Sequence, residues 1–255
     1  MRAQRSAASG FTHSVTSHTP DIGKQLCQVT EELNLKRRLQ TMKCGTITGA
    51  RLHQEAMSRS PRRFWAVFVT LTYAGIDDWS PKHISQYLTA CRNYLRRRGV
   101  QFRYVWTCEL QKRGAPHYHV IVWLPYGQKI PKPDASGWWP HGRSNIKKAE
   151  KPVGYIAKYA SKGGTYEHEM PRGIRIHGTG GLDRRGAAER RWWLFPKWVR
   201  KHFPNIEDLG RAVGGGVVNR DTGEIAASPY RVVKIGGKIW ITERILENGR
   251  EQDQN

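Results

Sequence analysis

The feature that most constrains the fold is a pair of apolar runs joined by a short polar link. The runs "FRYVWTCELQ" (102–111) and "HYHVIVWLP" (117–125) are rich in β-branched and aromatic residues, which favours strands. The link, "KRGAP", contains a glycine and is too short for a helix, so we predict a β-hairpin. An isolated hairpin is only marginally stable, and further elements must cover it.

The neighbouring segments supply those elements. "FWAVFVTLTY" (64–73) predicts a buried strand, and "SNIKK" (144–148) a short one. "SPKHISQYLTACRNYLRRRG" (80–99) has helical periodicity, with Ser80 as the expected N-cap and Gly99 at its end. A helix is also expected from residue 24 to about Gly45, and another over 152–163. This order predicts an α+β fold with an antiparallel sheet and packing helices.

The domain organisation follows from composition. We expect a disordered N-terminus over residues 1–22, a helical lead-in over 23–60 and the main domain over 61–210. Small C-terminal β hairpins and a tail should follow over 211–255. The segment "RIHGTGGLDRRG" (175–186) is expected to be a glycine-rich basic loop that could cradle phosphates.

The charge of the chain indicates its partners. Lys and Arg total 43 against 21 Asp and Glu, a formal net charge of +22. A strongly cationic surface binds polyanions, and we predict nucleic acid. No apolar run reaches about 18 residues, so a membrane is not expected as a partner. No apolar signal segment is visible at the N-terminus, so we expect a cytoplasmic protein.

Two histidines on the second hairpin strand suggest a metal site. His117 and His119 are two residues apart, so both imidazoles lie on one face of a strand and suit a divalent metal. A three-residue loop over 113–115 would place Glu109 opposite His119, completing a site for Mg²⁺ or Mn²⁺. A two-residue turn would place Cys108 there instead, which suits a softer metal.

The stretch "YIAKYASK" (155–162) repeats the pattern Tyr-x-x-Lys. On a helix, Tyr155 and Tyr159 share one face about 6 Å apart. A phenol near a metal-polarised phosphodiester can act as a nucleophile, and Lys158 and Lys162 are cations that could favour its anion. The alternative is ordinary aromatic packing on an amphipathic helix.

A basic, aromatic segment lies downstream. Its tryptophans could stack on unpaired bases while its cations hold phosphates, although tryptophans at helical spacing also pack in cores. The candidate DNA-binding residues are Arg190, Arg191, Trp192, Trp193, Lys197, Arg200 and Lys201.

These motifs, in this order, resemble the HUH endonucleases, specifically the two-tyrosine rolling-circle replication initiators of small single-stranded DNA bacteriophages. "FVTLTY" is similar to their first motif, "GAPHYHVIVW" to their metal motif and "VGYIAKYASK" to their nucleophile motif. The resemblance covers residues 62–200 and implies an RRM-like, five-stranded antiparallel sheet. It makes residues 61–210 the expected nickase domain.

The resemblance also implies an activity: site-specific nicking of single-stranded origin DNA, with a 5′-phosphotyrosine link and strand transfer. Tyr155 and Tyr159 would be the nucleophiles, and His117, His119 and Glu109 the metal ligands. Since no G-x-x-x-x-G-K-[ST] stretch occurs, unwinding would need a host helicase, and synthesis a DNA polymerase, in the cytoplasm of a bacterial host. The alternatives are a two-tyrosine HUH transposase and a non-catalytic, basic nucleic-acid-binding protein.

Overall fold

The computed structural model describes the backbone of residues 22–161, 170–171, 173–235 and 238–243. Side chains are described for 36–161, 170–171, 173–213 and 215–230. Residues 1–37 form one compact unit and residues 38–255 a second. No helix of the described residues is both long and apolar enough to cross a membrane.

The described elements comprise five helices and ten strands. The helices are α1 Ile22–Ser58, α2 His83–Arg96, α3 Pro152–Ser161, α4 Arg184–Leu194 and α5 Lys197–His202. The strands of the main sheet are β1 Phe64–Tyr73, β2 Arg103–Leu110, β3 Pro116–Pro125, β4 Gly142–Lys148 and β5 His177–Gly180. The later strands are β6 Leu209–Arg211, β7 Val217–Asn219, β8 Ile225–Ala226, β9 Tyr230–Ile235 and β10 Lys238–Glu243.

The main sheet is five-stranded, in the order β4-β1-β3-β2-β5, with every neighbouring pair antiparallel. β3 is central, and its residues from Tyr118 to Leu124 are all buried, as its almost unbroken apolar run requires. The α+β class with an antiparallel sheet and packing helices is therefore confirmed.

Helices cover both faces of the sheet. The stripe of α2 (Ile84, Tyr87, Leu88, Cys91, Leu95) is fully or almost fully buried with the side chains of β1, β2 and β3 that point to that face. On the opposite face, α1 contributes Ala50 and α3 contributes Ile156 to a smaller core around Phe68 and Ile121. The face of the sheet that carries the histidines is thus only partly covered, because α3 reaches it over one stretch.

The start of α2 differs from the prediction. Lys82, not Ser80, is the N-cap, and the helix begins at His83. Ser80 still contributes to the entry, because its main-chain carbonyl accepts a hydrogen bond from the N–H of His83 at 3.2 Å. Gly99 follows the helix with φ of +64°, as expected for the residue that ends it.

The first helix does not stop near Gly45, which corrects the prediction. It continues to Ser58, and its glycines are contact positions rather than a stop signal. A Cβ on Gly49 would lie 2.7 Å from Thr179 Oγ1, and one on Gly45 would lie 3.0 Å from a guanidinium nitrogen of Arg190. Glycine is needed there because the helix passes close to β5 and α4.

The predicted glycine-rich loop contains the fifth strand, so that prediction was wrong. Residues 177–180 pair with β2, and α4 begins immediately afterwards, with Asp183 as N-cap accepting from Gly186 N–H at 2.7 Å. Gly178 faces the indole of Trp106, where a Cβ would lie 2.4 Å from Nε1. The two glycines of this strand leave room for the large rings of β2.

The C-terminal strands confirm the expected hairpins. β6, β7 and β8 form a three-stranded sheet, with a turn over residues 219–224 between the last two, and β9 pairs with β10. The predicted glycine turn at 236–237 and the expected disordered residues 1–21 lie outside the described residues. The expected domain limits stay predictions.

Candidate metal and nucleophile site

The hairpin brings Glu109, His117 and His119 to one face of the sheet. Glu109 pairs with His117, and Thr107 with His119. The predicted pairing of Glu109 with His119 was therefore wrong by two residues, although the predicted face is correct. Cys108 is buried on the other face, so the alternative with a thiolate ligand does not apply.

The shift has a local cause in the loop. Gln111 N–H donates to the carbonyl of Ala115 at 2.9 Å, so the loop consists of residues 112–114. Gly114 is its last residue, with φ of +87°. Three-residue hairpin loops commonly end in a left-handed residue, which favours glycine at that position.

The three side chains converge. His119 Nε2 lies 2.9 Å from Glu109 Oε1, and one candidate ligand atom from each of the three residues lies within 4.8 Å of the others. The two imidazole centroids are 4.6 Å apart, with planes at 70°. His119 is buried, whereas Glu109 and His117 are partly exposed. The buried side holds the geometry, and the partly exposed side is accessible to a ligand.

Neighbouring hydroxyls contact the outer nitrogens of the imidazoles. Thr72 Oγ1 lies 3.0 Å from His117 Nδ1. His119 Nδ1 is buried and has no hydrogen-bond partner among the described residues, and the same holds for Thr107 Oγ1. Since Thr107 pairs with His119 on the same face, one bridging water would satisfy both groups.

This donor set fits a divalent cation. Two ligand atoms that share a cation at about 2.1 Å in an octahedral site lie about 3 Å apart, close to the distance between His119 and Glu109. A partner on Nδ1 leaves Nε2 of each ring available for a metal, and Thr72 provides such a partner for His117. Two imidazoles and one carboxylate leave other positions open for substrate oxygens.

The tyrosine helix α3 lies over the same face. The Tyr159 ring is stacked on His119, with centroids 3.7 Å apart. Phe68 of β1 contacts both phenols, with centroids 5.5 Å from Tyr155 and 5.3 Å from Tyr159. The two tyrosines thus share one aromatic neighbour, and Tyr155 is the more accessible, with 39% of its surface exposed.

The electrostatics around Tyr159 oppose its ionisation when no cation is bound. Burial raises the pKa of this phenol, and the charge of Glu109 and the neighbouring Tyr155 raise it further. A cation held by Glu109 would remove much of that opposition. Lys158 is exposed on α3, at an angle of about 100° from Tyr159 around the helix axis, and Lys162 lies outside the described residues.

A basic row beside the site was missed by the sequence interpretation. On β4, Arg143 pairs with Thr72, and Lys147 with Phe68, so both point to the face of the histidines. Both are exposed, as is Asn145 between them. Lys148 points to the opposite face and forms an ion pair with Glu150 at 2.9 Å. The period-two alternation of "RSNIKK" carried this signal.

The predicted DNA-binding segment divides into packed and accessible residues. Arg190 is largely enclosed and donates to a main-chain carbonyl of α1 at 3.0 Å, and Arg191 is paired with Asp208. Trp192 donates its indole N–H to the carbonyl of Phe203 at 2.8 Å. These contacts give the three residues structural roles.

The remaining residues of that segment are more accessible. Lys197 and Lys201 are exposed, and Trp193 has 40% of its surface exposed. The guanidinium of Arg200 lies 5.5 Å from the centroid of the Trp193 ring. A role in DNA binding stays a prediction for all seven residues.

Comparison with known proteins supports a replication-associated role. Residues 66–164 match the model of the family described as Replication-associated protein ORF2. The matched region begins in β1 and includes all three candidate ligands and both tyrosines. No curated protein and no solved structure shows a significant match to the chain. The chain is therefore similar to a replication-associated protein over the region that contains the site.

Proposed function

We propose that this protein is a site-specific, single-strand DNA endonuclease and strand transferase that initiates rolling-circle replication. The observation that carries the proposal is the stack of Tyr159 on His119, whose imidazole contacts Glu109. A candidate nucleophile and a candidate metal site thereby share one face. The match of this region to a replication-associated family supports the same activity.

Each residue has a role in the proposed reaction. A divalent cation, Mg²⁺ or Mn²⁺, held by Glu109, His117 and His119 would polarise the scissile phosphodiester. A tyrosine phenol loses its proton to solvent and its oxygen attacks phosphorus. The bond to the 3′ oxygen breaks, leaving a free 3′ hydroxyl and a 5′-phosphotyrosine link.

The second tyrosine gives the proposal its strand transfer. While one phenol holds the 5′ phosphate, the other attacks the regenerated origin after a round of synthesis. The new 3′ hydroxyl then attacks the first phosphotyrosine and closes a circle. The similar distances of the two rings from Phe68 support equivalent access to one site.

The proposed partners follow from the reaction. Single-stranded origin DNA is the substrate, and the exposed row of Arg143 and Lys147 is positioned to hold its phosphates. A host helicase would unwind the parental duplex, and a host DNA polymerase would extend the 3′ hydroxyl.

The test is the covalent adduct. The protein is incubated with Mn²⁺ and labelled single-stranded oligonucleotides that tile the DNA flanking its gene, and products are separated in SDS. We expect an SDS-stable adduct on one oligonucleotide, lost with EDTA and lost in the Tyr155→Phe/Tyr159→Phe double variant. Binding without an adduct on any oligonucleotide would favour a non-catalytic nucleic-acid-binding protein.

A further inference from the structure

A second groove lies at the end of the sheet opposite the metal site. It has a volume of about 1010 Å³ and is lined where β1 begins, β2 begins and β3 ends, and by α1 and the start of α4. His119 lies near the beginning of β3, whereas Pro125 at its end lines the groove. Six residues of strand separate them, about 20 Å. The groove is therefore distinct from the candidate catalytic site.

The walls of the groove carry an excess of positive charge. Its acidic side chains are already engaged in the fold: Glu55 and Glu189 are both paired with Arg51, and Asp183 caps α4. The cationic side chains that line it are Arg59, Arg62, Arg98, Arg103 and Arg185.

Three of these arginines have no acidic partner. Arg62, Arg98 and Arg185 are exposed, and none of them forms an ion pair with a described residue. Arg98 lies over the ring of Tyr94 at 3.6 Å, which orients its guanidinium without neutralising it. Unneutralised arginines around one concave surface attract a polyanion.

An exposed aromatic ring stands among these charges. Tyr126 lines the groove with 66% of its surface exposed, and the guanidinium of Arg63 lies 4.8 Å from its ring centroid. Single-stranded nucleic acid binds to combinations of this kind, with phosphates on the cations and an unpaired base on the ring. A duplex would satisfy the arginines but hides the faces of its bases.

We infer that this groove binds single-stranded DNA without sequence preference, with phosphates at Arg62, Arg98 and Arg185 and a base on Tyr126. It would hold a strand that continues beyond the catalytic site. The inference rests on the proposed function only for the origin of that strand, because binding itself requires neither a metal nor a tyrosine nucleophile.

The test measures binding in the absence of catalysis. A labelled oligothymidylate is titrated with the full chain in EDTA, which prevents cleavage, and anisotropy gives the affinity at several salt concentrations. The triple variant Arg62→Ala/Arg98→Ala/Arg185→Ala should bind at least about tenfold more weakly. Its slope of log affinity against log salt should fall by about 2, as expected for three lost phosphate contacts on a single strand. Tyr126→Ala should weaken binding about tenfold with an unchanged slope.

A matched variant controls for net charge. Arg92→Ala/Arg96→Ala/Arg97→Ala removes three exposed arginines of the same region that do not line the groove, and it should bind like the parent protein. Equal losses in the two triple variants, or none in either, would overturn the inference. Duplex DNA that competes as well as oligothymidylate would overturn the single-stranded occupant. Adduct formation is scored separately, so a failed groove leaves the proposed nickase intact, and an absent adduct does not affect the groove.

Discussion

The imidazole of His119 and the phenol of Tyr159 lie face to face, with centroids 3.7 Å apart and planes at 26°. His119 also contacts Glu109 through Nε2 at 2.9 Å. One buried ring therefore links the candidate metal site to a candidate nucleophile. A change at His119 should be felt in both metal binding and the position of the phenol.

His119→Ala should abolish adduct formation. The substitution removes a metal ligand and the stacking partner of Tyr159, whereas binding of duplex DNA should persist, because Lys and Arg contacts to phosphates supply most of that affinity. The measurement is adduct yield with Mn²⁺ alongside duplex binding, with a thermal melt to show that the variant is folded. Adducts that survive in this variant, or in the parent protein with EDTA, would sink the metal assignment.

Thr72→Val should weaken metal binding without touching a ligand. The hydroxyl of Thr72 lies 3.0 Å from His117 Nδ1 and orients that ring. Loss of such a partner typically costs about 10- to 100-fold in metal affinity. Titration calorimetry with Mn²⁺ measures it, and Thr72→Ser, which keeps the hydroxyl, should restore most of the affinity. Equal affinity of the valine variant and the parent would show that the contact does not orient a ligand.

Tyr155→Phe and Tyr159→Phe should each permit some adduct on a short oligonucleotide but fail to release unit-length circles over repeated rounds. The reason is that one phenol must hold the 5′ end while the other cuts. The double variant should give no adduct. If either single variant produces circles normally, the two tyrosines do not alternate, and one of them only packs against Phe68.

Arg143→Ala/Lys147→Ala should weaken binding of single-stranded DNA and flatten its salt dependence by about 1.4, the value for two phosphate contacts. Both side chains lie on the face of the histidines. Lys148→Ala is the matched control, because this lysine lies on the same strand but points to the opposite face, and it should bind normally. A loss of the same size in the control would mean that only net charge matters.

The protein should lose stability as the pH falls from 6.5 towards 4. Burial lowers the pKa of His53 to about 4, and the charge of Arg103 acts in the same direction. Because the unfolded chain takes up this proton at a higher pH than the folded one, stability is complete above pH 6.5 and declines below it. At pH 5 the loss is about 2 kcal/mol. Urea unfolding at pH 7 and pH 5 measures it, and His53→Leu should show a smaller difference between the two.

Local patterns predicted most of the sheet and the face of the site, because a strand alternates its side chains strictly. His117 and His119 share a face wherever β3 pairs. The register was missed for a local reason: the loop was centred on Gly114, whereas the left-handed residue of a three-residue loop is its last one. The correct pairing was therefore accessible from the sequence.

Other features depended on contacts that a sequence does not display. β5 has two glycines in four residues and little strand propensity, and it forms because β2 offers large rings for those glycines to cover. Gly45 resembles a helix stop, yet it permits close packing of α1. The basic row of β4 became evident only when its pairing with β1 showed which side chains share the face of the histidines.

β4 is also an edge strand: no strand of the described part of the chain pairs with its outer side. An unpaired edge is a template for β-pairing between copies, and charged side chains discourage such association. Arg143, Lys147 and Lys148 place three positive charges along this strand. Bound phosphates would neutralise part of that charge, so the protein should be most prone to self-association when its substrate is bound at a low ratio. The cations that would hold the DNA would also keep the free protein monodisperse.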